Sequence, residues 1–281
     1  MYKRQLRKYL DKKKSPIHIV AKIETAQAVE NIDAIIEHSD AIMVARGDLG
    51  SEVPFELVPS IQDDIVQRCR AKSKPVIVAT HMLESMIQNP TPTRAEVTDI
   101  AYAAAMCADC TMLSGETANG KYPFKAISSM RKVLNVTEKR HHANEATVFD
   151  YKSALDGEPR TEQARSACVL AAKVQAKAIV VITKYGHTAR AVSMFRPVTP
   201  IIAFTPTPTV LHQLRMAWGV YPMKCELFSD PEETVNVALA LAVKNKLLKS
   251  SQDVIVVSDI LVQSKKPNHN HVMSVQIRKV A

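Results

Sequence analysis

Four short apolar runs alternate with amphipathic stretches through the first half of this 281-residue chain, and each run ends in residues able to do chemistry. The runs lie at 19–25, 41–50, 75–80 and 110–117; the stretches at 24–37, 58–71, 93–106 and 123–140 carry the apolar spacing of helices. Strand, helix, strand, helix predicts a parallel sheet with right-handed crossovers, because parallel neighbours need a long return connection and a helix supplies it. In open α/β sheets and in closed barrels the ligand site lies at the carboxyl ends of the strands, so a polar residue there reads as functional. A closed barrel needs eight such units in about 250 residues. This chain offers four before its texture changes near 141–159, too few to close a barrel, and the change of texture favours a second domain after it.

The first run sets Lys22 and Glu24 two residues apart, which puts both side chains on one face of a strand. The second ends in Arg46-Gly47-Asp48-Leu49-Gly50, where glycine lets backbone amides approach an anion closely. Two carboxylates beside a lysine suit a magnesium–phosphate site. Magnesium is usually held by one or two carboxylates plus waters and substrate phosphates, and the lysine offsets charge on a migrating phosphoryl group. Taken alone, Lys22 and Glu24 also fit an ordinary exposed ion pair, and Asp48 a helix cap. The Thr80 hydroxyl ends the third run, and Ser114 and Glu116 end the fourth, so chemistry recurs at one end of all four.

Five segments then match one family in order. They are Ala21-Lys22-Ile23-Glu24, the stretch 43–50, Ala79-Thr80-His81-Met82-Leu83-Glu84-Ser85-Met86, Pro92-Thr93-Arg94-Ala95-Glu96 and Met112-Leu113-Ser114-Gly115-Glu116-Thr117. With these the chain resembles pyruvate kinase along its whole length, most sharply between Ile17 and Lys132. The resemblance implies an α/β fold: the last four units of a (β/α)8 barrel over 1–146, led in by a helix at 2–14, and an open, mostly parallel carboxyl-terminal α/β domain over 147–281. It implies magnesium- and potassium-dependent phosphoryl transfer from phosphoenolpyruvate to ADP, giving pyruvate and ATP. Lys22 would face the transferring group, Glu24 and Asp48 would hold magnesium, and the amides of Gly47 and Asp48 with the Thr80 hydroxyl would bind the substrate carboxylate. Ser114 and Glu116 would lie near the proton-delivery path. Arg46 and Arg94 would serve subunit contacts, although an arginine beside an anion site also suits catalysis. His81 stands where the family carries an amide side chain. The first four barrel units, the lid domain, a phosphate-gripping arginine and most potassium ligands have no counterpart here, so low or no turnover is expected of the chain alone. The expected assembly is a homo-oligomer or an association with a full-length pyruvate kinase. A catalytically inactive regulatory subunit or fragment is the alternative.

The second half predicts helices at 161–174, 189–195 and 231–248 and strands at 178–183, 200–204, 219–222, 253–258 and 272–279. Pro231 suits a first helical turn, and Asp230 can cap it. The turn Thr183-Lys184-Tyr185-Gly186-His187-Thr188 joins a strand to a helix, a geometry that offers amides to phosphate. The resemblance makes it a possible sugar-phosphate effector loop carried by Thr183, Lys184, Gly186, His187 and Thr188. Tyr185 and His187 depart from the small hydroxyl residues of effector-binding relatives, and an ordinary turn is the other reading.

Composition excludes several classes. No run of about 18 apolar residues exists to span a membrane. Five scattered cysteines point to a reducing compartment, and Cys107 with Cys110 forms an isolated C-x-x-C, read as packing rather than zinc. The net charge of +9 comes largely from 3–14, Lys265, Lys266, Arg278 and Lys279, and with aromatics at 5% it does not indicate nucleic acid. Positive potential also suits phosphate-bearing substrates. The expected location is cytoplasmic, with a plastid as the alternative.

Overall fold

The computed structural model describes residues 2–143, 151–262 and 270–281. Two compact units divide the chain, Met1–Glu145 and Ala146–Ala281. The expected boundary at 146 lies among residues 144–150, outside the described residues, and so do Lys265 and Lys266.

The first unit runs α1 (Tyr2–Lys12), β1 (Val20–Ile23), α2 (Ala26–Glu30), α3 (Ile32–Glu37), β2 (Ala41–Ala45), α4 (Arg46–Glu52), α5 (Val58–Ala71), β3 (Val76–Ala79), α6 (Arg94–Ala105), β4 (Cys110–Met112), α7 (Gly115–Ala118) and α8 (Pro123–Ala143). The strands lie side by side in chain order. All three pairings are parallel, with Lys22 opposite Met43, Val44 opposite Val78 and Ile77 opposite Cys110. In β2, Ala41, Ile42, Val44 and Ala45 are all buried, the near-continuous apolar run expected of a parallel strand covered on both sides. Ile36 of α3, Ile65 and Val66 of α5, Ile100 of α6 and Met130 of α8 complete that core.

Two local departures have physical causes. The helix expected over 24–37 is broken at Asn31, whose φ of −102° and ψ of 20° end α2 and open α3. Its side-chain amide donates to the Gln27 carbonyl at 2.8 Å, the local competition that makes asparagine a poor helix-interior residue. The stretch after β2, whose glycines suit amides approaching an anion, winds into α4, with Asp48 in its first turn.

The second unit runs α9 (Pro159–Lys173), β5 (Ile179–Ile182), α10 (His187–Met194), β6 (Ile201–Thr205), α11 (Pro208–Leu214), β7 (Val220–Lys224), α12 (Pro231–Lys244), β8 (Asp253–Val262) and β9 (Asn270–Lys279). Strand order is β7-β6-β5-β8-β9, parallel except for the edge hairpin that β8 and β9 form. Alternate residues of β5 and β8 feed two cores: Ile179, Val181, Ile255 and Val257 in one, Val180, Ile182, Val254 and Val256 in the other. Asp230 caps α12, accepting from the Glu232 amide at 2.9 Å, and Pro231 occupies the first turn. The short α11 was not anticipated.

A capping box starts α6: the Thr93 hydroxyl accepts from the Glu96 amide, and the Glu96 carboxylate accepts from the Thr93 amide at 2.7 Å. The same carboxylate reaches back to the loop after β3, accepting from the Ser85 amide at 2.7 Å and the Ser85 hydroxyl at 2.6 Å. Partial burial works against ionisation of Glu96, and the Ser85 and Thr93 donors outweigh it, leaving its pKa below the ordinary 4.5. A lowered pKa means that the folded state binds fewer protons. The contribution is therefore complete above the ordinary value and is lost as pH falls through the folded one. Glu96→Ala is expected to lower unfolding stability by about 1–2 kcal/mol at neutral pH. Urea melts of both proteins from pH 7 to pH 3 should show that gap narrowing on acidification.

Candidate active site

Parallel pairing of β1 with β2 brings the first carboxyl ends together. Lys22 projects from β1, Glu24 follows two residues on, and Asp48 enters from the first turn of α4 immediately after β2. The Lys22 ammonium donates to Glu24 Oε2 and to Asp48 Oδ2, the latter at 2.7 Å. All three side chains are 40–60% exposed, so the pairs themselves contribute little stability. Asp48, then Glu24, raises the pKa of Lys22, while Lys22 lowers that of Asp48. Both charges therefore persist at neutral pH. Two carboxylates converging on one cation form a donor set suited to a hard metal that keeps waters and substrate oxygens. Among the described residues no group of three or more His, Cys, Asp or Glu side chains is close enough to hold a metal. A metal here would rest on Glu24 and Asp48 alone, as magnesium tolerates and structural zinc does not.

The end of β3 adjoins this cluster. Thr80 has a φ of 69° and His81 one of 53°, left-handed backbone that side-chain-bearing residues seldom adopt. The elbow is held from three sides. Arg46 Nη2 and Nε both donate to the Thr80 carbonyl, at 2.6 and 3.1 Å, and the Thr80 hydroxyl accepts the Gly47 amide at 2.7 Å while donating to the Ala79 carbonyl. Two expectations change as a result. The Gly47 amide, expected to face a substrate carboxylate, is bonded to Thr80. Arg46, expected at a subunit contact, has a side chain only 9% exposed and bonded within the chain, with its remaining nitrogen on Asp99 at 2.7 Å. Arg94, at the start of α6, is exposed.

The end of β4 also differs from expectation. Glu116 is fully buried, one oxygen accepting the Leu83 amide at 2.9 Å and the other the Ser114 amide at 2.7 Å. That geometry makes it a tie between the loops after β3 and β4 rather than a group facing solvent. Ser114 is half-buried and follows β4, three strands along the sheet order from β1. Lys22, Glu24 and Asp48 are thus in direct contact, Gly47 and Thr80 join them through their own hydrogen bond, and Glu116 is bonded instead to the Leu83 and Ser114 amides. Gly120 allows this close packing: a Cβ there would lie 2.5 Å from the Glu116 carbonyl oxygen.

In the second unit the 183–188 turn joins β5 to α10. Thr183 and Thr188 are buried, and the Thr183 hydroxyl accepts the Gly186 amide at 3.0 Å, removing one amide from the expected phosphate cradle. Gly186 takes a φ of 81° to make the turn. Lys184 and His187 are exposed; the Lys184 ammonium lies over the Tyr185 ring, and Arg190 meets His187 Nδ1 at 2.9 Å. A cavity of about 410 Å³, lined by Arg7, Lys8, Asp40 and Lys74 among others, opens near the amino ends of β2 and β3 and includes none of the candidate residues. No helix among the described residues is long and apolar enough to cross a membrane.

Sequence reasoning missed three ties: Arg46 on Thr80, Glu116 on two amides, and Glu96 on Ser85. Only the last carried a local signal, the Thr-x-x-Glu capping box of 93–96.

These features define a parallel α/β protein with a lysine–carboxylate cluster at its strand carboxyl ends. The family description "Pyruvate kinase, barrel domain" matches residues 3–127, and "Pyruvate kinase, alpha/beta domain" matches 162–273. Pyruvate kinase isozyme G, chloroplastic, of Ricinus communis is 42% identical over 98% of this chain and 65% of its own length; a pyruvate kinase of Clostridium acetobutylicum is 42% identical over 87% and 51%. A crystal structure of a pyruvate kinase from Cryptosporidium parvum superposes with a TM-score of 0.80 at 37% identity, covering 95% of this chain and 52% of that one. The chain belongs to the pyruvate kinase family, and it spans from about half to two thirds of the length of these relatives.

Removing the Glu116 carboxylate leaves two interior amides without their acceptor. Glu116→Ala is expected to cost roughly 2–4 kcal/mol of unfolding stability, measured by urea denaturation. An unchanged midpoint would show that the carboxylate ties nothing.

Proposed function

We propose that this chain carries the pyruvate kinase site that uses Lys22, Glu24 and Asp48, and that its reaction is phosphoryl transfer from phosphoenolpyruvate to ADP. The observation that supports this most is the convergence of Glu24 and Asp48 on the Lys22 ammonium at the carboxyl ends of adjacent parallel strands. Lys22 keeps its charge at neutral pH because Asp48 and Glu24 favour the ammonium, so it can stabilise the phosphoryl group in flight. Glu24 and Asp48 would hold magnesium. When bound, the metal supplies positive charge that neutralises substrate oxygens and the developing enolate.

The Thr80 hydroxyl contributes through its proton. It now donates to the Ala79 carbonyl, and a rotation about χ1 or of the hydroxyl itself would redirect that bond to a substrate carboxylate. The Asp48 amide, in the first turn of α4, is among those a helix leaves without an intrahelical acceptor. Ser114 would act on the enolate through water, and Glu116 serves by fixing the Ser114 amide rather than by delivering a proton. Potassium enters by family likeness, with no residue of this chain assigned to it. A plastid location is the reading favoured by plant relatives named chloroplastic.

A lactate-dehydrogenase-coupled assay of the purified chain with phosphoenolpyruvate, ADP, magnesium and potassium tests the reading. Turnover that vanishes on chelation and falls by about 10²–10³ in Lys22→Met supports it. If activity is absent, calorimetric titration with magnesium and phosphoenolpyruvate decides between a binding subunit and no role at this site. Binding lost in Glu24→Gln and Asp48→Asn would make the chain a partner for a complete pyruvate kinase.

A further inference from the structure

We propose that His81 is a ligand-contacting residue of this site, its imidazole donating a hydrogen bond to an anionic oxygen of the phosphorylated substrate. The inference rests on the reading just given and extends it to a side chain that the family pattern does not supply. Three observations carry it. The left-handed φ of 53° at His81 directly follows the φ of 69° at Thr80, and the His81 ring lies against Gly47 in the first turn of α4. A Cβ on Gly47 would meet His81 Cε1 at 3.3 Å and Nε2 at 3.4 Å, so the ring packs closely over Gly47. The residue is exposed, and no hydrogen bond joins either ring nitrogen to a described residue.

The ring is therefore positioned without being engaged. Its neighbours explain the positioning: the Thr80 carbonyl is gripped by Arg46, and the Thr80 hydroxyl by the Gly47 amide. The ring stands against Gly47, the residue preceding Asp48, whose carboxylate would hold the metal. An imidazole has a donor nitrogen in its neutral form as well as its charged form, so it can donate to a phosphate or carboxylate oxygen at any working pH. Glutamine could donate from the same place; alanine could not.

The test uses the full chain labelled with ¹³C-histidine and ¹⁵N, titrated with phosphoenolpyruvate in the presence of magnesium. Nine histidines give nine ring signals, and His81 is assigned by the signal missing from His81→Gln. The expected result is a shift of the His81 ring signal together with the Gly47 and Asp48 amides. Affinity should fall about tenfold in His81→Ala, the usual cost of losing a hydrogen bond to a charged group, and recover most of that in His81→Gln. Movement of the Gly47 and Asp48 amides with an unmoved His81 ring, or equal affinity in His81→Ala, would overturn the contact and leave the proposed function standing. No movement at any of the three would overturn both.

Discussion

The parallel register of β1 against β2 is what brings the lysine–carboxylate cluster together. Lys22 opposite Met43 sets the end of the first strand beside the start of α4, and only then can Glu24 and Asp48, 24 positions apart in sequence, share one ammonium. A shift of one residue would turn Lys22 into the apolar face that Ala21 and Ile23 now fill. The burial of those neighbours therefore pays for the exposure of the charged cluster. Exposed ion pairs of this kind add little to stability, so the cluster is positioned by the core and not the reverse.

A second level of order lies just outside the cluster. Arg46, Glu116 and Glu96 each join segments that the sheet alone would leave independent: α4 to the β3 elbow, the β3 loop to the β4 loop, and α6 to the β3 loop. All three reach the segment 80–85. That convergence accounts for two adjacent residues with positive φ, a conformation costing of order 1–3 kcal/mol each that persists where surrounding bonds over-determine it.

Much of the fold was legible beforehand. The apolar runs, the helical spacing of 58–71 and 123–140, and the Asp230-Pro231 start of α12 are local signals, and the structure shows elements at each. The break at Asn31 and the winding of 46–52 into α4 were less visible, because a single asparagine or a pair of glycines weakens a pattern without fixing where it yields. In the site, Lys22 and Glu24 could be placed on one face from strand periodicity. Arg46 could not be placed, since an arginine after a strand reads equally as a surface contact or an interior tie. The outcome depended on a carbonyl 34 residues away. In the 183–188 turn composition suggests phosphate, and only the structure shows that Thr183 and Thr188 are buried and that the Thr183 hydroxyl accepts the Gly186 amide.

The sequence by itself determined the alternation of strand and helix, the end of the sheet that carries polar residues, and the family. Those follow from local periodicity and from motifs that survive as ordered strings. Tertiary structure alone decided which of those polar residues meet in the exposed cluster and which turn inward as ties. Hydrogen-bonding partners for Arg46, Thr80, Ser114 and Glu116 come from separate strands and loops, and their directions are fixed only when the sheet assembles and the core excludes water.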